Sequence, residues 1–349
     1  MIIREQVPLA PLTTLGVGGP ARYFVEAHTE SDIREAVQHA QSLNVPLFVL
    51  GGGSNLLVAD RGFDGLVLEI SLRGIERAAG ADDTVAFSVA AGEEWDDFVA
   101  RAVDDNCAGI ECLSGIPGSV GGTPVQNVGA YGQEVSETIR EVEALDRQSL
   151  QLKTFANAEC GFGYRSSIFN TTASDRYIIL RVSFSLQRGG RPAIRYADLQ
   201  KAFPDATATP TLSAVRVAVR EIRQRKAMLI VPGDDDARSA GSFFKNPIVP
   251  QQQFDDLAAK LRARDLALPS YPAAGGFRKL PAAWLVEHAG FAKGYSRGAA
   301  GISRRHTLAI VNRGGATAAD IVALKDEIQS RVFSEFGIQL QPEPVFLGF

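Results

Sequence analysis

The first third of the chain alternates hydrophobic patterns typical of strands and of helices. Residues 21 to 27 and 46 to 50 are short apolar runs of the kind that form buried strands. Between them, apolar side chains recur on one helical face from residue 33 to residue 40, behind Thr29 or Ser31 as the helix cap. This order predicts a strand, a helix and a second strand.

The same criteria predict further elements along the rest of the chain. Strands are predicted over residues 65–70, 85–90, 139–145, 177–186, 308–312 and 345–347. Helices are predicted after residue 95, over residues 213–227, near residues 254–262, after Pro281, and from residue 321 to residue 332. The mixture predicts an α+β protein, in which the helix over 213–227 opens a second domain.

Composition and charge narrow the function classes. Hydrophobic residues make up 45% and charged residues 22% of the 349 residues, as in an ordinary globular protein, and this length predicts more than one domain. The net charge of -4 gives no overall attraction to nucleic acid or to anionic lipid. We therefore expect no nucleic-acid partner, and any phosphate site must be local.

The length of the apolar runs and the number of cysteines indicate in which cellular compartment the protein resides. No apolar run reaches the roughly 18 residues that a membrane helix needs, so we expect no membrane insertion. The three cysteines, an odd number, argue against a disulfide framework and for a reducing environment. We expect a cytoplasmic protein and a monomer.

The first glycine-rich segment, Gly16 to Ala21, is spelled like a dinucleotide-binding fingerprint. That fingerprint needs a strand before it and a helix after it, whereas here the strand follows. We interpret the segment as a glycine-rich turn rather than as part of a Rossmann fold.

The second glycine-rich segment, from Gly51 to Asn55, follows an apolar strand. Its three consecutive glycines expose backbone N–H groups with no side chain over them, which suits a diphosphate. The chain has no Gly-Lys pair of the kind a Walker loop requires, which excludes an ordinary P-loop. A tight structural turn is the alternative interpretation.

The third segment, from Gly115 to Gly132, is rich in glycine and carries no charge from Leu113 to Gln133. Two backbone-exposing loops in one chain can bind one long ligand. A long surface loop is the alternative, but surface loops usually carry charge. An uncharged, glycine-lined segment favours contact with a partly apolar ligand such as an isoalloxazine ring.

Taken together, these segments resemble the UDP-N-acetylenolpyruvoylglucosamine reductase family of flavoenzymes, over nearly the whole chain. The resemblance rests on motifs that occur in the family's order: Thr13–Gly19, Gly51–Leu56, Gly115–Gly118 with Asn127–Gly132, Phe162–Arg165, Gly241–Pro247 and Pro342–Glu343. It implies an FAD-binding domain of the vanillyl-alcohol-oxidase type followed by a smaller α+β substrate-binding domain. The expected subdomains are 1–70 and 71–212, with a flavin domain over about 17–188, a substrate loop at 188–212 and a C-terminal domain at 213–349.

The resemblance also implies a reaction and its catalytic residues. NADPH reduces non-covalently bound FAD, and the reduced flavin then passes hydride to an enolpyruvyl UDP-sugar. Arg165 would stabilise the developing charge, since a guanidinium meets a carboxylate with two parallel donors. Ser242 would give the proton, and Glu343, between two prolines, would assist both. Without the resemblance these residues would be an ordinary arginine, a turn serine and a solvated near-terminal carboxylate.

The family's cofactor and substrate contacts carry over onto matching positions. The expected FAD contacts are Gly51, Gly52, Gly53, Ser54, Asn55, Ser114, Gly115, Ile116, Pro117, Gly118, Ser119, Gly121, Gly122, Asn127, Gly129, Ala130 and Tyr131. The expected substrate contacts are Tyr164, Tyr196, Lys226, Asn246 and His306, where Tyr196 matches the tyrosine that the longer first type of the enzyme closes over its substrate. The four histidines have no metal-ligand spacing, and we expect no metal.

Two other functions fit part of this pattern. An oxidase or dehydrogenase with the same flavin fold would explain both glycine loops but would not need Ser242 or Glu343. A binding protein without activity could retain the nucleotide-sugar pocket alone. Oxygen consumption would identify the first, and a colourless protein, or a flavin that NADPH does not bleach, would identify the second.

Overall fold

The computed structural model describes residues 1–205 and 208–349, which form two compact units. The first, larger unit comprises Met1–Pro8, Pro20–Gly53 and Phe63–Leu229, and the second comprises Leu9–Gly19, Ser54–Gly62 and Ile230–Phe349. Residues 206 and 207, which belong to the expected substrate loop at 188–212, lie outside the described residues.

Across the described ranges there are seven α-helices and twenty strands. The helices are α1 Glu30–Ser42, α2 Trp95–Asp104, α3 Ala197–Ala202, α4 Leu212–Arg225, α5 Gln251–Arg262, α6 Ala282–His288 and α7 Ala318–Phe336. The strands are β1 Arg4–Pro8, β2 Pro20–Ala27, β3 Leu47–Leu50, β4 Leu56–Val58, β5 Phe63–Ile70, β6 Ile75–Ala79, β7 Thr84–Ala90, β8 Cys107–Ala108, β9 Gly129–Ala130, β10 Gln133–Glu134, β11 Ile139–Asp146, β12 Leu152–Ala156, β13 Tyr177–Arg188, β14 Ile248–Pro250, β15 Tyr271–Ala273, β16 Phe277–Lys279, β17 Ser296–Arg297, β18 Ala300–Ile302, β19 Ile310–Asn312 and β20 Val345–Leu347.

The N-terminal sheet of the first unit has the strand order β1-β2-β5-β3. Strand β2 pairs antiparallel with β1 and parallel with β5, and β3 pairs parallel with β5. Helix α1 connects β2 to β3 and begins with a capping box, in which Thr29 and Asp32 satisfy each other's backbone N–H groups. Since β2 starts at Pro20, directly after the Gly16 segment, that segment is a turn before a strand, as predicted.

A second sheet of the first unit has the order β12-β11-β13-β7-β6, and β8 adds to β13. Helix α2 packs its apolar stripe on this sheet. The rings of Trp95 and Phe98 lie 5.9 Å apart, and those of Phe98 and Phe184 lie 5.0 Å apart. All three side chains are buried, so the helix predicted from this stripe is fixed by aromatic packing.

The second unit is built around α7, with its own core and two small three-stranded sheets, β14-β16-β15 and β17-β18-β19. Its N-terminal segments supply Leu15, Val17 and Leu57 to that core. Strand β4 pairs parallel with β20, and the Asp60 carboxylate accepts the backbone N–H groups of Ala318 and Ala319 at the start of α7. Because of these contacts, residues 9–19 and 54–62 belong to the second unit.

The compact units divide the chain differently from the expected subdomains. Helix α4 was expected to open the second domain, but it lies in the first unit. Its buried residues Val215, Val219 and Ile222 form a cluster with Cys112 and Leu199. The amphipathic pattern predicts the helix itself, but it does not show which neighbour covers the apolar face.

Candidate active site

The two glycine loops of the first unit lie against each other. A β-carbon on Gly52 would stand 2.6 Å from the α-carbon of Gly118 and 3.2 Å from the amide nitrogen of Ser119. A β-carbon on Gly51 would stand 2.7 Å from the Ser119 hydroxyl oxygen. The glycines are therefore required by close backbone approach, and two segments more than sixty residues apart in sequence form one surface.

This joint surface fits the diphosphate of a dinucleotide such as FAD. Gly53 and Gly118 have positive φ angles of 61° and 123°. Among the described residues, no protein acceptor receives the amide N–H of Gly52, Gly53 or Gly118. Amides that point away from the protein, with no side chain over them, form an anion-binding nest. Ser119, also among the predicted contacts, is buried beside this nest.

Several predicted cofactor contacts instead shape the loop. The Gly115 amide donates to the Asp96 carboxylate at 2.6 Å, and the buried Ser114 hydroxyl donates to the Glu111 carbonyl at 2.7 Å. The amides of Gly121 and Gly122 are taken by the Ala91 and Ser119 carbonyls. Their backbone N–H groups are therefore committed within the protein. Ile116 and Pro117, which connect Gly115 to Gly118, are half-buried.

Asp96 was not predicted as a functional residue. Besides the Gly115 amide, its carboxylate accepts from Arg216 at 2.5 Å and from Arg220, both on α4. These hydrogen bonds outweigh the effect of burial and hold the pKa of Asp96 below its ordinary value. Asp96 therefore joins α2, α4 and the glycine loop that begins at Gly115. No sequence motif marks it, because its partners are remote in the chain.

Arg165 rests on the strand pair β9–β10. Its Nη2 donates to the Gly129 carbonyl at 2.8 Å, and a β-carbon on Gly129 would stand 3.2 Å from Nη1. Arg165 has a φ of 54°, in the left-handed region that non-glycine residues rarely adopt. Such a conformation costs about 1–3 kcal/mol and is found where surroundings fix a residue for function. The neighbouring Tyr164 ring lies 5.6 Å from the guanidinium.

The predicted cofactor contact Asn127 fixes the same segment. Its Nδ2 donates to the Glu134 carboxylate at 2.9 Å and to the Gly163 carbonyl at 3.0 Å, while its Oδ1 accepts the Ser136 amide. The buried Asn127 thus ties the loop that carries Arg165 to β9–β10. Ala130, in β9, is half-buried beside it.

Three predicted ligand contacts of the first unit form one cluster. The rings of Tyr131 and Tyr196 meet edge to face at 5.3 Å, and Lys226 Nζ lies 6.0 Å and 5.8 Å from their centroids. Lys226 also pairs with Asp198 at 2.5 Å. Burial lowers the pKa of Lys226, but Asp198 and the tyrosines outweigh this and leave it above its ordinary value. The cluster therefore holds a protonated amine beside two aromatic faces.

The buried Arg223 lies below this cluster and was also missed by sequence reasoning. Its Nε donates to the Gly115 carbonyl at 3.0 Å and its Nη2 to the Met228 carbonyl at 2.6 Å. Burial lowers the pKa of Arg223. The sequence does contain a signal for Arg223, because it falls on the apolar face of the helix predicted over residues 213–227. An arginine at such a position is expected to have buried partners, since charged residues are rarely buried without them.

Ser242, in the second unit, is held between two segments of chain. On one side the amide of Phe243 donates to the Leu308 carbonyl at 2.7 Å. On the other side the amide of Glu343 donates to the Phe243 carbonyl at 2.9 Å. The rings of Phe243 and Phe244 are buried and anchor the segment. The backbone of Glu343 is thus bonded to the residue that follows Ser242.

The end of the Gly51–Asn55 loop is bonded to the segment that carries Glu343. Asn55 Nδ2 donates to the Glu343 carbonyl at 3.2 Å, and the Val345 amide donates to the Asn55 carbonyl at 2.9 Å. The Ser54 carbonyl accepts from the Thr14 hydroxyl. Asn55, expected as a cofactor contact, therefore secures the segment that carries Glu343.

His306 and Asn246 complete the set in the second unit. His306 Nε2 lies 3.3 Å from the Ser242 hydroxyl oxygen. Asn246 Oδ1 accepts the Ala282 amide at 2.9 Å, which caps α6, so that oxygen is committed to the fold. The structure thus brings Ser242, His306 and Glu343 together in the second unit and places Arg165 in the first.

The described residues form neither a metal cluster nor a membrane-spanning helix. Within residues 1–205 and 208–349, no group of three or more histidine, cysteine, aspartate or glutamate side chains could hold a metal ion. None of the helices in the described part of the chain has the length and apolar character needed to cross a membrane.

Comparison with known proteins assigns both parts of the chain. A family model described as an FAD binding domain matches residues 21–154, and one described as the C-terminal domain of UDP-N-acetylenolpyruvoylglucosamine reductase matches residues 233–347. The matches confirm the predicted α+β fold with an FAD-binding domain, and they confirm the predicted flavoenzyme class.

Whole-chain relatives agree with these models. The proteins called UDP-N-acetylenolpyruvoylglucosamine reductase in Thermobifida fusca and Streptomyces coelicolor are 47% and 46% identical over 350 residues, which is 99% of this chain and 98% and 90% of theirs. The crystal structure of UDP-N-acetylenolpyruvylglucosamine reductase from Thermus caldophilus is similar at a TM-score of 0.66 and 26% identity, covering 99% of this chain and all of that one. The chain therefore belongs to the UDP-N-acetylenolpyruvoylglucosamine reductase family.

Proposed function

We propose that this protein reduces UDP-N-acetyl-3-O-(1-carboxyvinyl)-glucosamine to UDP-N-acetylmuramate, with electrons from NADPH and FAD as the bound cofactor, in peptidoglycan precursor synthesis. The observation that carries the proposal is the backbone hydrogen bond from the Glu343 amide to the Phe243 carbonyl, 2.9 Å long, which joins the segment that carries Glu343 to the residue directly after Ser242. A flavin site alone would fit many oxidoreductases, whereas segments that carry a hydroxyl and a carboxylate and are joined by a backbone hydrogen bond suit protonation of a carbon.

The nest formed by Gly52, Gly53 and Gly118 is proposed to hold the FAD diphosphate, because no acceptor among the described residues receives these amides and no side chain covers a glycine. When bound, FAD supplies the hydride, from N5, to the vinyl carbon of the substrate. The sequence around the nest contains no histidine or cysteine from Gly51 to Asn55, which supports non-covalent attachment.

Addition of hydride to the vinyl carbon leaves negative charge on the neighbouring carbon and its carboxylate. Arg165 is proposed to bind that carboxylate with its guanidinium, since an always-charged, pre-positioned donor stabilises the charge as it develops. The hydrogen bond from Nη2 to Gly129 fixes the plane of the group, and the left-handed backbone at Arg165 supports a functional reason for the strain.

Ser242 is proposed to deliver the proton that completes the reduction. The Ser242 O–H bond breaks as the new C–H bond forms, and the electron pair stays on the serine oxygen until solvent restores the proton. Glu343 is proposed to assist Arg165 and Ser242 at the reacting end. The two backbone hydrogen bonds of Phe243, the residue after Ser242, support this role because they fix the segment, and proton transfer requires hydrogen-bond reach to the acceptor.

Lys226 and Tyr196 are proposed to receive the UDP part of the substrate. A lysine amine is a point charge suited to a diphosphate, and aromatic rings beside it provide an apolar wall. Tyr164, Asn246 and His306 are proposed as further substrate contacts. We also propose a cytoplasmic location, because all three cysteines are free and buried.

The experiment is an anaerobic incubation of the purified yellow protein with NADPH and the enolpyruvyl UDP-sugar in D2O. We expect a product that has gained two hydrogens, with deuterium on the carbon next to the carboxylate, located by fragmentation in the mass spectrometer. An unreduced substrate would refute the proposal. In a parallel incubation under air, NADPH oxidation that requires oxygen would favour the oxidase alternative, and a protein whose flavin NADPH never bleaches would favour the binding protein.

A further inference from the structure

We propose that His306 is a positioning residue for Ser242, and that it donates a hydrogen bond from Nε2 to the serine hydroxyl oxygen during protonation. This inference rests on the proposed function, in which Ser242 gives its proton to substrate carbon. The carrying observation is the 3.3 Å separation between His306 Nε2 and Ser242 Oγ. Both side chains are half-buried, so solvent does not freely replace either partner.

The backbone fixes this contact from the His306 side. His306 lies in a turn whose first residue, Ser303, is fully buried. The Ser303 hydroxyl accepts the amides of Arg305 at 3.1 Å and His306 at 3.3 Å, and the His306 carbonyl accepts the Ala309 amide at 3.1 Å. The turn is therefore rigid, and the imidazole leaves it from a defined position.

The backbone fixes the contact from the Ser242 side as well. The next residue, Phe243, donates its amide to the Leu308 carbonyl at 2.7 Å, two residues beyond His306. Phe243 is also fully buried. One backbone hydrogen bond thus connects the segment that carries the serine to the turn that carries the histidine, and the side-chain contact follows from this connection.

The direction of the hydrogen bond follows from the chemistry assigned to Ser242. A serine hydroxyl has one proton, and a proton given to His306 would not point at the substrate. His306 must therefore be the donor, with its proton on Nε2, and a neutral ring satisfies this requirement. As Ser242 loses its proton, a donor to its oxygen stabilises the negative charge that forms there.

Two isosteric substitutions separate a donor from a side chain that merely fills space. In His306→Gln the amide can still donate to Ser242, whereas in His306→Met a side chain of similar size cannot. The reaction is followed anaerobically in two halves, flavin reduction by NADPH and flavin reoxidation by the enolpyruvyl UDP-sugar at saturating concentration. Thermal unfolding of each variant reports whether the fold is intact.

We expect His306→Met to slow reoxidation by about 10- to 100-fold at saturating substrate, which is less than the roughly 100- to 1,000-fold loss for a donor that contacts the reacting group directly, because His306 acts through Ser242. We expect His306→Gln to remain within roughly threefold of the wild type, and flavin reduction to be the same in all three proteins. Equal reoxidation rates for the two variants would overturn the inference. So would slowing of both half-reactions together, because a general structural defect would affect both.

A double-mutant cycle with Ser242→Ala gives a second measurement if His306→Met lowers stability. Since His306 acts through Ser242, we expect the His306→Met substitution to have no further effect on reoxidation in the Ser242→Ala background. Additive effects would overturn the inference. A wild-type protein whose reduced flavin is not reoxidised by the substrate at all would refute the proposed function itself, and this inference with it.

Discussion

Gly52 and Gly118 approach each other so closely that a β-carbon on Gly52 would lie 2.6 Å from the Gly118 α-carbon. Real β-carbons do not tolerate such a distance to backbone, so any larger residue must separate the two loops. The same contact makes the nest for the proposed FAD diphosphate. FAD affinity should therefore depend on residue 52 remaining a glycine.

We predict that Gly52→Ala lowers FAD affinity by at least tenfold, because the loops must part to accommodate the methyl group. The measurement is titration of the apoprotein with FAD, followed by quenching of flavin fluorescence. Gly80→Ala is the matched control, since a β-carbon there would lie 2.3 Å from the Thr84 hydroxyl oxygen in the turn between β6 and β7. Equal FAD affinity in both variants would count against the nest.

We predict that Arg165→Lys slows flavin reoxidation by the UDP-sugar by about 100-fold, because lysine keeps the charge but loses the planar pair of donors. Flavin reduction by NADPH should be unchanged. The two half-reactions are measured by anaerobic stopped-flow absorbance. Arg176→Lys, which alters an arginine paired with Asp146, should leave both rates unchanged. A normal reoxidation rate for Arg165→Lys would refute the proposed role.

We predict that Asp198→Asn strengthens UDP-sugar binding by roughly two- to fivefold, since an ion pair that is partly open to solvent contributes up to about 1 kcal/mol. In the protein without ligand, Asp198 pairs with Lys226, the residue proposed to receive the diphosphate, and this pair would have to open on binding. Binding is measured by calorimetry with the oxidised enzyme. In a Lys226→Met background the same substitution should have no effect, and weaker binding by Asp198→Asn would contradict the expected opening of the pair.

We predict that Cys160 contributes a pH-dependent part of stability in alkaline solution. Burial, with Glu159 nearby, raises the pKa of its thiol from 9.0 to about 11. The folded protein therefore keeps a proton that the unfolded chain loses, so this stabilisation is present below pH 9 and disappears as the pH rises toward 11. Denaturant unfolding should show a smaller decline over this range for Cys160→Ala, and an identical decline would contradict the prediction.

Local patterns were sufficient to predict many elements of the fold. The apolar face of α1 and the stripe that starts at Trp95 predict helices that the structure confirms, because periodicity and capping are properties of contiguous residues. The strand predicted over 345–347 has the observed bounds of β20. Strands β1 and β12 were not predicted, because both are largely exposed and lack a continuous apolar face.

Contacts between remote segments could not be predicted from local patterns. Strand β4 pairs with β20, although most of the sequence separates the two strands. This pairing places residues 54–62 in the second unit. Asp96 and Asp198 are ordinary acidic residues in sequence, and their importance emerges only when α4 supplies the basic partners. The position of His306 beside Ser242 also depends on such a contact, since it follows from the bond between Phe243 and Leu308.

The measurement that tests the central claim most directly is the reoxidation of NADPH-reduced Ser242→Ala by the enolpyruvyl UDP-sugar under anaerobic conditions. In the wild type, flavin absorbance should return on addition of the substrate. In Ser242→Ala, reduction by NADPH should proceed at the wild-type rate, whereas the return of absorbance should slow by at least about 100-fold. Two results would contradict the role of Ser242 as the proton donor. One is a variant in which both half-reactions are slowed to the same extent relative to the wild type, and the other is a variant in which both proceed at the wild-type rate.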